Sequence, residues 1–581
     1  MRISKPISAL MLAVFVVPVA AARGQTSVVG SPHDLSVSGP GKIHALSQEQ
    51  VCIFCHAPHN ATGQAPLWNR TMPATHYRIY SSPTTDARID QPSGPSKMCL
   101  SCHDGSLALG LVASRPATDP IVMSFRTIPP GDTDLTHDLS DDHPIGFRFD
   151  RALFNRDGQL RNPDLLTENL PLGPHNRVQC TTCHDVHNNS LGKFLRVPDR
   201  RSAICVACHD LRGWPASSHA TSGKPTVGRR VDPTQRLTHQ TVADNGCADC
   251  HRIHSAPQRR WLLRFVREED NCLNCHNGGV ARKNIDSEIR KPSGHPVQRF
   301  ARNHVPDENP RVAPPHVECT DCHNPHAAAT QVISNVNRPG LGQISETMRF
   351  VSGVNLAGRP IRRSRFEYEV CFKCHGDNIA RSAVRAIARQ ITQTNTRLEF
   401  QPGNPSFHPV IAPRRNPDVV SLLSPWRTGS VMRCTDCHNS DAAGSGGALA
   451  VRGPHGSIYD PILIDNYETN DFTAESPRSY ALCYRCHDRA SILGDASFPL
   501  HSTHILRGRA PCAACHDPHG VSRTQGNSRN NSSLINFDRS IVQPAGGALG
   551  ARIQFEDTGR FSGSCTLMCH GVTHIRFTYN R

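Results

Sequence analysis

The chain has 581 residues, of which 37% are hydrophobic and only 6% aromatic, with 42 glycines and 45 prolines. This composition excludes a large conventional core, because apolar material is scarce and glycine and proline disfavour long helices and strands. The formal net charge of +15 would by itself suggest nucleic acid or an anionic membrane as a partner. We therefore expect something other than side chains to fill the interior.

The N-terminal residues 1–22 are predicted to be a signal peptide. Arg2 and Lys5 precede an apolar run over 7–20, and three successive alanines give a cleavage site. An uncleaved anchor is the alternative, but the run is short and contains Pro18, whereas a membrane span needs about 20 apolar residues. We expect an exported protein without a transmembrane span, either periplasmic or extracellular at the cell surface of a bacterium.

All 24 cysteines fall into twelve pairs, and a histidine follows the second cysteine of every pair. Eleven pairs have the form CxxCH: Cys52, Cys55, His56; Cys99, Cys102, His103; Cys180, Cys183, His184; Cys205, Cys208, His209; Cys247, Cys250, His251; Cys272, Cys275, His276; Cys319, Cys322, His323; Cys371, Cys374, His375; Cys434, Cys437, His438; Cys483, Cys486, His487; and Cys512, Cys515, His516. The twelfth pair, CTLMCH, has one extra residue between Cys565 and Cys569, before His570.

The CxxCH pattern is the attachment motif of c-type haem. Two thiols add to the two vinyl groups on one porphyrin edge, and the adjacent histidine becomes the proximal iron ligand. Zinc sites and disulfides are the alternatives, but histidine follows all twelve pairs and no cysteine is left over. We predict about twelve covalent haem c groups, whose bulk fills the interior and couples folding to attachment. In the twelfth motif we expect the inserted residue to bulge outward and keep both thioethers.

The motifs alternate in character, which predicts six di-haem repeats. Odd-numbered motifs carry another histidine three residues past the first, and in the ninth motif a later histidine takes its place. These candidate distal ligands are His59, His187, His254, His326, His455 and His519. The predicted repeats, each expected to gain stability by stacking on its neighbours, are 23–125, 126–215, 216–285, 286–399, 400–492 and 493–581.

A second histidine series precedes the odd-numbered motifs. Its members are His33, His143, His219, His295, His408 and His501. The two series supply twelve further histidines for twelve irons, which favours two histidine ligands on each and hence low reduction potentials. The alternates are His44, His175, His239, His316, His504 and His574.

The sequence leaves open which histidine ligates which iron. A third-position histidine follows directly on the proximal ligand, so it can hardly reach the opposite face of the same haem. We expect it to ligate a neighbouring haem, with a surface histidine as the alternative.

Several segments resemble multihaem cytochromes with doubled CXXCH motifs. The resemblance rests on DHPIGF and GHPVQ, on CTDCHNPH and CAACHDPHG, on the first repeat with HDLS, VCIFCHAPHN and SKMCLSCHDGSLALG, and on the ending CTLMCHGVTH. It covers nearly the whole predicted mature chain. It implies electron transfer in the periplasm or at the surface of bacteria that respire external acceptors, with redox proteins or extracellular acceptors as partners. Some members of this family polymerise into filaments, so self-polymerisation is one implied mode of assembly.

The expected fold is mostly irregular with short α-helices and little β structure, built as a haem-cored array. One longer helix is predicted over 377–398, because Ile379, Ala383, Ile387 and Ile391 recur at helical spacing. Haem also changes the meaning of the charge: twelve haems bring about 24 propionates, which arginine suits as a partner. The excess of basic side chains would then neutralise the negative charges of the propionates, and no nucleic acid partner is expected.

Two functions fit the motifs. The first is an electron carrier without catalytic residues, in which every iron has two histidine ligands. The second is a terminal reductase of nitrogen or sulfur oxyanions, which needs one open-site haem with acid and base groups nearby. The surplus of histidine favours the carrier, and the twelfth motif is the best candidate for an exception.

Overall fold

The computed structural model describes residues 27–62, 67–226, 237–298, 305, 308–329, 343–379, 387–413, 415–444, 447, 450–546 and 551–580. The predicted signal peptide lies outside these residues. Across the described ranges the chain is mostly irregular, with short helices and short strands. None of the helices described is long and apolar enough to cross a membrane.

Each of the eleven CxxCH motifs begins in a short helical segment. Eight are α-helices, at Gly94–His103, Cys180–Cys183, Ala203–Val206, Glu268–Leu273, Cys319–Cys322, Glu367–His375, Ala481–Tyr484 and Cys512–Cys515. Three are 3-10 turns, at Cys52–Phe54, Gly246–Asp249 and Cys434–Asp436. Most are a single turn long, so packing rather than helix propensity must hold them.

The remaining α-helices are Arg151–Asp157, Ser218–Thr221, Val242–Asn245, Ile285–Glu288, Thr396–Glu399 and Arg489–Leu493. The predicted helix over 377–398 is wrong for all of its described residues except 396–398, which belong to the short helix Thr396–Glu399. Residues 377–379 and 387–395 are irregular, and Arg389 forms a β-bridge with Asp538. The buried Arg389 guanidinium donates to the carbonyls of Ala513 and Asn536, so tertiary hydrogen bonds outweigh the local helical spacing.

Most strands are two residues long and join segments distant in sequence. They pair as Arg78–Ile79 with Asp138–Leu139, Ser293–Gly294 with Gly456–Ser457, Gly353–Val354 with Pro360–Ile361, and Ser406–Phe407 with Gly520–Val521. The first pair is parallel and the other three are antiparallel.

The C-terminal region departs from this pattern, because it forms an antiparallel sheet that the sequence analysis did not predict. Its strands are Val542–Gln543 (β1), Gln554–Gly559 (β2), Ser562–Cys569 (β3) and Val572–Tyr579 (β4). The order is β2-β3-β4, and β1 also pairs with β3. The sheet therefore carries the twelfth motif.

The described apolar side chains form five small buried clusters rather than one core. The cluster that contains Phe372 and Phe400 borders a connected cavity of about 3640 Å³, lined by the cysteines and histidines of the sixth to ninth motifs. Pockets for small ligands are usually about 300–1,000 Å³. The protein atoms thus leave a continuous space several times larger than one such pocket.

Candidate haem-binding sites

The helical turn at each regular motif places its two cysteines together. Residues three apart on a helix are neighbours, with Cβ atoms about 5–6 Å apart. In nine of the motifs, the backbone N–H of the histidine donates to the carbonyl of the first cysteine, as His184 does to Cys180 at 3.0 Å. The turn therefore presents two thiols and one imidazole as a single unit.

Five odd-numbered motif histidines face a second imidazole from the next odd-numbered motif. The ring centres are 6.2 Å apart for His56 and His187, 6.3 Å for His184 and His254, 6.2 Å for His251 and His326, 5.9 Å for His323 and His455, and 6.0 Å for His438 and His519. Each facing ring is the third-position histidine or, at the ninth motif, its later substitute His455.

Four even-numbered motif histidines face a ring from the second series instead. The separations are 6.0 Å for His33 and His103, 6.3 Å for His143 and His209, 6.2 Å for His219 and His276, and 6.3 Å for His295 and His375. Two more pairs lie near the C-terminus, with His501 and His516 at 6.5 Å and His504 and His574 at 6.3 Å.

These separations fit a metal between the two rings. An imidazole nitrogen lies about 2.0–2.1 Å from a first-row metal such as zinc, and the ring centre lies roughly 1.1 Å further, so two coaxial imidazoles have centres about 6.3 Å apart. Direct stacking would bring the rings closer, as His33 and Phe194 are at 4.4 Å. The residues present therefore suit a porphyrin iron ligated on both faces.

Hydrogen bonds fix the orientation of these rings. The Nδ1–H of His103, His251 and His323 lies 2.8–2.9 Å from a backbone carbonyl. The facing rings are held in the same way, with His219 at the carbonyl of Pro325 and His295 at that of Pro454. Because Nδ1 makes this contact, Nε2 is the nitrogen that would bind a metal.

Burial favours the neutral form of His326, His455 and His143, which is the form that binds metal. It lowers the pKa of His326 to about 3, and the facing ring of His251 adds to the effect. Burial likewise lowers the pKa of His455 and, less strongly, that of His143, to about 3 and about 4.

The motif thiols follow one another through the molecule in sequence order. From each even motif to the next odd one, the thiols are within hydrogen-bonding reach: Cys99 and Cys180, Cys205 and Cys247, Cys272 and Cys319, Cys371 and Cys434, and Cys483 and Cys512. From each odd motif to the next even one they lie within electrostatic range, as Cys55 and Cys102 or Cys437 and Cys486 do. The candidate sites thus form one continuous series.

Backbone hydrogen bonds also connect the segments that flank the facing histidines. The strand before His295 pairs with the strand after His455, and the strand before His408 pairs with the strand after His519. At the preceding position, the backbone N–H of His143 donates to the carbonyl of Ile253. The upstream histidines His143, His295 and His408 therefore each lie beside a third-position histidine of the following predicted repeat, or its substitute.

Other predicted ligands are placed differently. His59 is exposed, and no described ring faces it, because no odd motif precedes the first one. No described ring faces His44, His175, His239 or His316 either. His239 contacts Asp199 at 3.0 Å, and His316 contacts Glu308 at 3.2 Å. In the tenth motif the Nδ1 of His487 lies 2.9 Å from the Ser421 hydroxyl, while His408 donates to the Pro518 carbonyl.

The twelfth motif lies on a strand rather than on a helical turn, and its pairing with β4 shifts register between Cys565 and Leu567. Cys565 and Cys569 lie on the extended strand β3, paired with Phe577 and Val572 of β4. Four residues of strand rise by about 13 Å, so the two thiols are further apart than on a helical turn. The sequence offered one signal of this, because Thr566–Met568 separates the cysteines by one residue more than in the other motifs.

Two sequence comparisons with known proteins agree with haem attachment at these motifs. The family model for the doubled CXXCH motif matches residues 173–212 and 239–281, which contain the third to sixth motifs. The matches support a multihaem c-type cytochrome of the doubled CXXCH type. The cytochrome is also similar to the multiheme cytochrome MtrA of Shewanella baltica (strain OS185), with 26% identity over 180 residues. This match covers 29% of the cytochrome and 40% of the relative.

Proposed function

We propose that this cytochrome conducts electrons through about twelve covalent haem c groups arranged in sequence order. The observation that carries the proposal is the set of histidine pairs with ring centres 5.9–6.5 Å apart, which would supply two imidazole ligands to an iron at most motifs. Haem supplies reversible one-electron chemistry at its iron. At most motifs the chain would contribute two thiols and two imidazoles, and adjacent motif cysteines would hold neighbouring sites together.

The interleaved ligands support transfer between neighbouring haems. A third-position histidine such as His254 follows the proximal ligand of one motif closely and faces the proximal ligand of the preceding odd motif, His184. One short peptide would thus hold two irons close together. Close spacing of this kind is what electron hopping requires, and it does not depend on a mobile partner.

The finer assignments rest on the sequence. We propose export to the periplasm or cell surface, and a role in respiration of external acceptors through redox partner proteins or the acceptors themselves. The predicted signal peptide and the family resemblance support these assignments. Self-polymerisation stays a prediction.

The alternative function, a terminal reductase, would need an iron with an open axial position. The facing imidazoles favour the conduit, because a second histidine stands where substrate would bind. The tenth and twelfth motifs are the places to search for an exception, since their axial pairs differ from the others.

Spectroscopy of the full-length holoprotein tests the proposal. Pyridine haemochrome absorbance and intact mass should give about twelve haems per chain, and a reductive titration should take up one electron for each. Electron paramagnetic resonance of the oxidised protein should show low-spin iron, and the reduced spectrum should be unchanged by carbon monoxide. A stoichiometric high-spin haem that binds carbon monoxide would favour the reductase instead.

A further inference from the structure

The histidine of the twelfth motif stands at the tip of a β-hairpin. His570 and Gly571 connect β3 to β4, with φ angles of 50° and 75°, as in a two-residue hairpin turn. Cys569 and Val572 pair across this turn. The other eleven motif histidines instead follow a helical turn, so His570 is presented in a different way.

The imidazole of His570 already has a partner. Its Nε2 lies 2.9 and 3.0 Å from the two carboxylate oxygens of Asp471. Its ring stacks on Phe472 at 4.4 Å. In His103, His251 and His323 the nitrogen that contacts a backbone carbonyl is Nδ1, whereas in His570 it is Nε2 that contacts a carboxylate.

A different pair of rings has the geometry of an axial pair. The centres of His504 and His574 are 6.3 Å apart, the same as those of His184 and His254. The Nδ1–H of His504 donates to the carbonyl of Leu500 at 2.8 Å, which leaves its Nε2 free. His504 thus matches the ligands of the regular sites in both ring separation and hydrogen bonding.

The strand register places this pair beside the cysteines of the twelfth motif. His574 is the cross-strand partner of Leu567, and cross-strand partners share a face of the sheet. Cys565 and Cys569 lie two residues to either side of Leu567, so they project from that same face. Both cysteines pack with Leu567 in one buried cluster.

We propose that the iron of the twelfth haem is ligated by His504 and His574, and that His570 serves instead to tie the hairpin to Asp471. The proposal rests on the proposed attachment of a haem at Cys565 or Cys569. The motif would then supply thiol attachment, while the ligand comes from four residues further along the chain. The twelfth site would be closed on both faces.

Single substitutions in the full-length holoprotein distinguish the two histidines. His574→Ala and His504→Ala should each convert one low-spin haem per chain to a high-spin haem that binds one equivalent of carbon monoxide when reduced. His570→Ala should leave every haem low-spin and insensitive to carbon monoxide. His519→Ala is the matched positive control, because it removes a ring that faces His438.

The reverse result would overturn the proposal: an open haem in the His570 variant, with none in the His574 variant. His574→Met guards against loss of folding, because a thioether keeps the iron six-coordinate and raises one reduction potential. An unchanged set of potentials in that variant would also count against His574. A wild-type chain with only eleven haems would overturn this proposal while leaving electron transfer through the other sites intact.

Discussion

The Nδ1 of His254 lies 3.0 Å from Oδ1 of Asp142, a carboxylate that is only 4% exposed. Asp142 directly precedes His143, whose ring faces His209, while His254 faces His184. One buried carboxylate therefore borders two neighbouring candidate ligand pairs. A carboxylate that accepts from Nδ1–H makes the imidazole a stronger donor, which stabilises oxidised iron.

Asp142→Asn should raise the reduction potential of one haem. Replacing a charge-assisted hydrogen bond by a neutral one costs about 1 kcal/mol, or roughly 40 mV for one electron. Glu399→Gln should likewise raise the reduction potential of another haem, because Glu399 contacts Nδ1 of His519 at 3.1 Å. Spectroelectrochemical titration measures both. Asp119→Asn, on an exposed residue, is the control, and an unshifted titration for Asp142→Asn would contradict the prediction.

The axial imidazole planes should divide the haems into two spectroscopic classes. The ring planes are 67–83° apart at the second, fourth, sixth and eighth motifs, but only 6–36° apart at the first, third, fifth and seventh. Near-perpendicular imidazoles leave two iron d orbitals almost degenerate and give strongly axial signals, whereas near-parallel imidazoles give rhombic ones. Electron paramagnetic resonance of the oxidised protein should therefore show both types.

A pair of variants assigns these signals. His143→Ala should remove one haem from the axial class, and His187→Ala should remove one from the rhombic class. Spin quantification at low temperature measures each loss. If both variants removed intensity from the same class, the alternation of ligand planes would be wrong.

His408 is predicted to ligate the haem of the tenth motif. It donates to the carbonyl of Pro518 in the way that His219 donates to Pro325, and His219 faces a proximal histidine of an even motif. His408→Ala should therefore create one high-spin haem that binds carbon monoxide. The matched control is His59→Ala, at an exposed position, which should create none.

Arg70 should stabilise the region of the first two motifs. Its guanidinium is 1% exposed and donates to three backbone carbonyls, including those of Leu109 and Ser101. Arg70→Met would leave these acceptors without a donor and should cost about 3 kcal/mol of unfolding free energy. It should also lower nearby haem potentials, because a positive charge near Cys55 is lost. Arg78→Met, on a largely exposed side chain, should cost under about 1 kcal/mol in the same denaturation assay.

Glu318 should make stability fall as pH rises. The residue is 1% exposed, and burial, with the charges of Glu268 and Glu269, raises its pKa to about 8. Between the unfolded pKa of about 4.3 and that value, the native state binds more protons than the unfolded state, so stability declines through this window.

The slope due to this one group cannot exceed about 1.4 kcal/mol per pH unit. Glu318→Gln should reduce the pH dependence of the urea unfolding midpoint between pH 5 and pH 8. Glu168→Gln, at an exposed position, should leave the slope as in the wild type. A slope that Glu318→Gln did not change would contradict the assignment.

The sequence alone determined the cofactor chemistry of this protein. Thiol spacing and the adjacent histidine are local properties, so the eleven CxxCH motifs can be recognised without knowledge of the tertiary structure. The scarcity of apolar residues also predicted an irregular chain of short helices, as found. The motifs depend only on residues within a single helical turn, and the composition depends on no fold at all.

Only the tertiary structure decided which imidazoles face one another. His254 and His184 are brought together by packing between distant segments, and no sequence rule distinguishes them from other pairings. The same holds for Arg389, whose tertiary hydrogen bonds override a helical pattern. The sheet around Cys565 and Cys569 depends on pairing with β2 and β4, so a motif that differs by one inserted residue takes an extended backbone instead of a helical turn.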